Sequence, residues 1–481
     1  MSITGAMNAA ITGLRAAARG TEIVSNNISN ALTPNYGRRG LELSTLSHNA
    51  TGGVQITGIS HQMNESVVAD RRSASASQQN TQTAVDFFRA LEDITGIAGS
   101  ADGLNGRLAS FEQSLISAAS RPDAIERLSQ TVADAAELVG SLNRASVEVQ
   151  EIRTSADQNI AQDVATLNTA LQQVEQINAQ ITATRSQGSS SPGLLDQRQT
   201  ILDAIGAIVP INVVPRDSGA VAIYTEGGAV LLDINAAIIG FEKQNIVTAY
   251  QSMDAGTLSG LTLNGQDVLR TAALGGGSLG GHFSVRDTYG VQAQSQLDAL
   301  ARDLVARFAD PALDPTLTAG DAGLFTDAGT AFDPLNEVGL SSRLTLNMAV
   351  DPTAGGEVWR MRDGLGAIRP GAVGDASFLN KMRGAVDNSR VPESGVLGTG
   401  PQKLADLFSN FAGMLAVTRT SAEQELSFNA ARLNELTQLQ LSEGVDTDQE
   451  LQNLLVLEQA YAANARVIQA ADEMLDILTR L

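Results

Sequence analysis

Apolar residues recur in alternating steps of four and three at both ends of the chain. Near the start they are Ile3, Met7, Ala10, Leu14, Ala17, Val24 and Ile28, with Thr21 in the same series; near the end they are Leu454, Leu457, Tyr461, Ile468, Ala471, Leu475 and Leu478, with Asn464 among them. Spacing of this kind puts each set on one helix face, so it predicts an amphipathic helix at each terminus. Two matched stripes are what a paired, coiled-coil-like terminal unit needs. Its candidate assembly interface is Ile3, Met7, Leu14, Val24, Ile28, Leu454, Leu457, Tyr461, Ile468, Leu475 and Leu478. Thr21 and Asn464 fall inside the stripes, where a polar group can set the register between helices. The large side chains of the first stripe are too few to offset the entropy of ordering that segment, so the ends are expected to gain order from their neighbours.

Between the ends the period changes several times. Past Asn35 a Gly- and Ser-rich stretch containing Val54, Ile56 and Ile59 predicts strands. Residues 67–187 carry the helical period, with Leu104, Leu108, Phe111, Leu115 and Ala118 on one face and Ile125, Leu128, Val132, Ala135, Val139 and Leu142 on the next. Arg121, Pro122 and Asp123 separate these two, with Pro122 where a first helical turn tolerates it. A third segment runs through Ile160, Val164, Leu167, Leu171, Val174 and Ile181 and ends in the breaker run 187–193. After a short helix over 194–208, residues 210–214, 220–225 and 229–232 read as strands, with Gly227 and Gly228 closing a hairpin. Asn264 and Gly265 mark another hairpin within 261–269. The glycine cluster at 275–281 reads as a flexible connection to a helix over 289–308. Residues 401–441 are helical again, and 442–448 break the pattern before the terminal stripe.

The expected fold class is therefore α+β and multi-domain: paired terminal helices, a long helical-bundle middle domain and an inserted small, mainly β domain. The expected division is 1–34 with 449–481 for the terminal unit, and 35–209 with 283–310 and 376–448 for the middle domain. The β domain would take 210–282, leaving 311–375 as an irregular or β region.

Composition narrows the function classes. A chain of 481 residues exceeds one ordinary core. Its 32 basic and 53 acidic residues give a net charge of −21, which argues against nucleic acid or an anionic membrane surface as a partner. There is no cysteine, so disulfides and thiolate chemistry are excluded, and His48, His61 and His282 are too scattered to pair as ligands. No apolar run approaches the length that spans a bilayer. Arg15 and Arg19 lie behind the apolar positions of the first helix, the reverse of a cleaved secretory signal, so any export is expected by another route. Aromatic residues are 4% of the chain, which favours thin, elongated domains over one compact globule.

Several motifs lose to plainer readings. Gly275, Gly277 and Gly280 match a dinucleotide fingerprint, yet no clear strand precedes them and no βαβ unit surrounds them. Asp314, Asp321 and Asp327 lack the alternating ligands of a calcium loop and read as a solvated acidic loop. Ser189, Ser190 and Ser191 lack the strand and helix of a nucleophile elbow and read as a linker. The Asn27 and Ser29 pair fits a glycosylation acceptor, a pattern short enough to arise by chance. No cofactor, metal or catalytic residue is expected.

The residues that end the first stripe carry a resemblance. The stretch VSNNISNALTPNYGRR at 24–39, after an Ala-rich amphipathic helix, resembles the N-terminal signature of bacterial flagellar rod, hook and hook-associated proteins. The signature residues here are Ser25, Asn26, Asn27, Ile28, Ser29, Asn30 and Tyr36. EGVDTDQELQNLLVLEQAYAANARVIQAADEMLDILTRL at 443–481 looks like the C-terminal signature of the same axial family. GLLDQRQTILDAIGAIV at 193–209 is similar to the corresponding part of the hook-associated members. The short polar residues Asn26, Asn27, Ser29 and Asn30 suit a helix end, and Pro34 and Gly37 then redirect the chain.

The resemblance implies a structural subunit with no enzymatic role, exported unfolded by the flagellar type III apparatus without a cleaved signal and located outside the cell. It implies a ring of identical subunits between hook and filament, touching flagellar hook protein on one side and hook-associated protein 3 on the other. It also implies a cytoplasmic export chaperone at the C-terminal helix. A hook or distal rod subunit would share the end signatures but is expected to have a mostly β middle. An enzyme in an axial scaffold would need a clustered catalytic set that this sequence does not show.

Overall fold

The computed structural model describes residues 3–46, 52–97, 99–187, 191–268, 274–318 and 320–480, the Leu478 side chain excepted. His48, Ser189, Ser190 and Leu269 lie outside the described residues. Helices α1 (Ile3–Ser29) and α12 (Thr447–Arg480) bring the chain ends together. The strands expected around Val54 form a hairpin of β1 (Arg38–Thr45) and β2 (Val54–Gln62), antiparallel with Arg38 opposite Gln62. This hairpin lies against α1, and β2 also touches α5 (Pro192–Ile208).

The helical middle opens with α2 (Glu65–Thr95), capped by the Asn64 side chain, which accepts from the N–H groups of Ser66 and Val67. Helix α3 (Leu104–Ser120) ends before Arg121 and Pro122 as the sequence requires. The two segments expected beyond it are one helix, α4 (Ile125–Ser186), of 62 residues and about 93 Å. No proline interrupts it, and Gly140 is its single glycine. Its stripe looked divided because the helix serves two cores in turn. Ile125, expected on the buried face, is exposed at its first position.

The first core gathers Phe87 and Leu91 of α2, Leu108, Phe111 and Leu115 of α3, and Leu128, Leu138 and Leu142 of α4. To these it adds α7 (Gly290–Phe308), α10 (Ser377–Asp387) and α11 (Leu404–Ser442). Residues 311–375 also feed it, through the antiparallel pair β9 (Phe325–Asp327) and β10 (Leu344–Leu346), α8 (Leu340–Arg343) and α9 (Arg360–Asp363). The rings of Phe111, Phe308 and Phe325 sit 5.0–5.9 Å apart, so the few aromatics are concentrated where they bury most area. Asp314 belongs to no solvated loop. It is buried and accepts the N–H groups of Thr316 and Leu365 at 2.9 and 2.7 Å, while Asp327 pairs with Arg343 at 2.8 Å.

The second core takes the far half of α4 (Ile160, Leu167, Leu171, Val174), Leu202 and Ile205 of α5, and two small antiparallel sheets. One is β3 (Ile211–Pro215), β4 (Val221–Thr225) and β5 (Val230–Leu232); the other is β6 (Ile239–Gly240), β7 (Thr262–Leu263) and β8 (Gln266–Asp267). Asn264 and Gly265 both have positive φ, 52° and 78°, as a two-residue I′ hairpin turn demands. The boundary placed between 209 and 210 thus runs through a shared core, because the apolar faces of α4 and α5 are covered by the strands.

The glycine cluster is not a flexible connection. Gly277 opens α6 (Gly277–Ser284), which passes through a π-helical turn at Val285–Tyr289 directly into α7. A Cβ on Gly277 would stand 2.2 Å from the Ile208 carbonyl oxygen, and one on Gly281 would stand 2.9 Å from Thr83, so small residues let α6 press against α5 and α2. Helix α11 returns along α2, held by Asn429 to Thr81 at 3.0 Å and Arg419 to Glu92 at 2.8 Å, and delivers the chain to α12.

Candidate assembly site at the joined chain ends

Helices α1 and α12 run antiparallel. Gly13 lies against Asn464, Gly20 against Leu457, and Asn27 against Glu450. Cβ atoms at Gly13 and Gly20 would stand 2.7 and 2.8 Å from the facing side chains, so a larger residue at either place would push Asn464 or Leu457 aside. Ala10, Ala16, Ala17, Ile23 and Val24 complete the buried face of α1. Of the candidate interface residues, Val24 is buried, while Ile3, Met7, Leu14, Ile28, Leu454, Leu457 and Ile468 are half-buried. Tyr461 and Leu475 remain 45% and 40% exposed. The register accounts for the latter: it sets Ile3 level with Met474, so the last turn of α12 passes beyond the start of α1. The centre of the seam is built from small residues, and the large ones flank it. Asn464 donates to the Ala460 carbonyl of its own helix at 2.9 Å and fixes register by filling the space above Gly13. Thr21 is half-buried.

The signature residues divide into two groups. Ser29 donates to the Ser25 carbonyl at 2.8 Å and Asn30 to the Asn26 carbonyl at 2.9 Å, back-bonding across the last turn, where the Asn26 carbonyl also accepts the Asn30 N–H at 3.1 Å. Ser25, Asn26 and Ser29 are exposed. Asn27 is fully buried and does something different. Its Oδ1 accepts from the Tyr36 hydroxyl at 2.9 Å and from the Arg39 N–H at 3.1 Å; its Nδ2 donates to the Arg39 carbonyl at 2.8 Å and to Glu450 Oε2 at 3.0 Å. Every hydrogen-bonding position of the amide is used, which leaves nothing of the glycosylation pattern. The other Glu450 oxygen accepts from Arg38 Nε at 2.9 Å. Burial pushes the Tyr36 phenol above its ordinary pKa, against the Arg39 guanidinium packed on its ring at 4.8 Å.

A second carboxylate ties this knot to the middle of the molecule. Asp196 of α5 accepts the Gly37 N–H at 3.1 Å and pairs with Arg39 and with His61 Nε2 of β2, each at 2.8 Å. Burial pushes its carboxyl up, but hydrogen bonds from His61, Gly37 and Arg39 outweigh that and hold it below its ordinary pKa. Gly37 cannot be larger, since a Cβ would meet the His61 ring at 2.1 Å. The turn into Gly37 is closed by Tyr36 N–H on the Thr33 carbonyl at 3.2 Å, with Pro34 second and Asn35 third at φ 62°, as a type II turn requires. Sequence reasoning missed Arg38, Arg39, His61, Asp196 and Glu450. Their partners lie far apart along the chain, and no periodicity reports them. Among the described residues no group of side chains is arranged to hold a metal ion, and no helix is long and apolar enough to cross a membrane.

Two family models match the chain. The flagellar hook-associated protein FlgK helical domain covers residues 88–312, and the flagellar basal body rod FlgEFG protein C-terminal model covers 442–481, which contains all of α12. Flagellar hook-associated protein 1 of Bacillus subtilis is 23% identical over 94% of this chain and 93% of its own length. The protein of the same name from Escherichia coli is 24% identical over 99% of both. The chain is similar to flagellar hook-associated protein 1 along nearly its whole length. A solved structure of the flagellar hook junction protein FlgK from Burkholderia pseudomallei aligns with a TM-score of 0.44 and 20% identity, over 54% of this chain and 47% of that one. These matches support a structural role in the flagellum. The rod-type model falls on the helix that closes against α1, so the family's shared C-terminal segment and the seam coincide.

Proposed function

We propose that this chain is a structural subunit at the junction between flagellar hook and filament, and that it takes its place there through the α1–α12 unit. The observation that carries this is the joining of the termini: an antiparallel pair, fastened at one end by Asn27 and Glu450, that buries its large apolar side chains only in part and leaves Tyr461 and Leu475 exposed. A two-helix unit with spare apolar surface is suited to lateral packing in a tube wall and poorly suited to isolation in water.

In this reading the partners are copies of the same chain in a ring, hook protein on one side and hook-associated protein 3 on the other. The terminal helices line the inner radius, the helical middle lies outside them, and residues 210–282 are outermost. Export precedes folding of the ends, without removal of a signal, and a cytoplasmic chaperone covers α12 until release. The role is structural and needs no catalytic group. Gold labelling of an epitope inserted at the exposed Asp254 tests the location. Label confined to the distal end of the hook is expected; label along the whole hook, or in the rod, would reassign the chain to a hook or rod subunit.

A further inference from the structure

Helix α12 carries a second heptad stripe that the fold leaves uncovered. Val456, Ala460, Ala463, Val467, Ala470, Met474 and Ile477 fall on four-and-three steps, each one residue before a member of the seam stripe. At 100° per residue this second stripe lies about a quarter-turn round the helix from the seam. It bears no charged residue, and Val456, Val467, Met474 and Ile477 are 64%, 45%, 52% and 62% exposed. At its upstream end it floors an apolar groove of about 460 Å³ whose far wall is Leu41 and Leu43 of the β1–β2 hairpin.

Helix α1 carries a matching protrusion. Ile3, Met7 and Leu14 stand about a quarter-turn from the Gly13 and Gly20 line, in the opposite angular sense: Leu14 follows the seam residue Gly13, whereas Val456 precedes the seam residue Leu457. In an antiparallel pair, opposite offsets project to opposite sides of the plane through the two axes. One side of the terminal unit therefore shows the large α1 residues, and the other shows the α12 stripe and its groove. The Thr12 flank of α1 confirms which side is which, because Thr12 Oγ1 accepts the Val54 N–H of the hairpin at 3.2 Å.

We propose that the occupant of the α12 stripe is α1 of a second copy of this chain, in a head-to-tail contact with Ile3, Met7 and Leu14 of one copy against Val456, Ala463 and Val467 of the next. A second copy is favoured because one chain presents both halves, with the same repeat and on opposite flanks, and because the stripe continues the seam that α1 already occupies. A contact between unlike faces repeats from copy to copy and generates a ring or helical array, whereas a like-on-like contact would stop at a dimer. The proposal rests on the reading of α1–α12 as the assembly unit.

The absence of native cysteine gives a direct test. Cells co-express two differently tagged full-length chains, one with Leu14→Cys and the other with Ala460→Cys, Ala463→Cys or Val467→Cys; hooks are isolated and oxidised. A disulfide between the two tags is expected for at least one of the three combinations. Bridges only between like chains, or to hook protein or hook-associated protein 3 alone, would overturn the contact, as would no bridge in hooks that contain both tags. Absence of both chains from hooks would remove the assembly reading itself, and this contact with it. Independently, Val467→Asp should lower incorporation at least about tenfold through an unpaired charge at a packed face. Gln469→Asp, on the exposed side away from both stripes, should not lower it, and equal incorporation of the two variants would also overturn the proposal.

Discussion

Asn27 shows how much one side chain can organise. Its amide joins the end of α1, the turn that follows and the start of α12, and a residue of similar size without polar atoms would strand the Arg39 peptide and one oxygen of the buried Glu450. Asn27→Leu is expected to cost about 2–4 kcal/mol of terminal-unit stability, since the abandoned groups lose their partners without regaining water. Faster tryptic cleavage after Arg38 and Arg39 is the readout, and cleavage at the parent rate would contradict the role. Asp196 gives a pH signature. Its folded carboxyl titrates below the ordinary unfolded value of about 3.9, so the stability it supplies is full above that value and disappears as pH falls through the folded one. Asp196→Asn should therefore be less stable than the parent near neutrality and converge on it in strong acid, measured by denaturant midpoints across pH. A difference that persists or grows in acid would show that the carboxylate charge is not what matters. The end of α1 at Ser29 and Asn30 was legible in their short polar side chains, which bond back to the last turn. The Asn27 network was not, because a buried asparagine has no periodic signal and its partner at 450 is on another helix.

At the level of elements, period and breakers located the long helices and the Asn264–Gly265 hairpin, because amphipathic spacing and turn chemistry are local properties, but not the short helices α6, α8, α9 and α10. The failures have a common cause in packing between distant segments. Helix α4 looked like two helices because its apolar face changes cores between Ala156 and Ile160. The glycines at 275–281 looked flexible, although the backbones of α5 and α2 press on them. In α1 the heptad stripe was real, but its centre fell on Gly13, Ala17, Gly20 and Val24, so the large residues became the shoulder of the seam. Seam chemistry sets one prediction at this scale: Ile468→Asp should leave the two middle cores folded, with the parent melting transition for that part, while blocking incorporation at the hook tip, at a cost of several kcal/mol for a charge without a partner. Normal filament growth and motility from this variant would contradict the seam assignment.

In the whole molecule, stability and assembly are assigned to different parts. The two cores of the middle are closed by packed aromatic and aliphatic side chains, whereas the terminal pair rests on small residues, one polar knot and half-covered apolar flanks. That division suits a subunit whose body folds by itself and whose ends are completed by neighbours, with a net charge of −21 to keep the unassembled chain in solution. The sequence made the axial family legible through its two ends. It did not show how those ends are tied to the body, because that link runs through Asp196, Arg39 and His61, which no motif marks. The central claim, that this chain joins filament to hook, is tested most directly by electron microscopy of cells lacking it. The account predicts full-length hooks without filaments, with filament subunits shed into the medium and filaments restored by the intact chain. Cells without hooks, or with filaments attached normally, would contradict it.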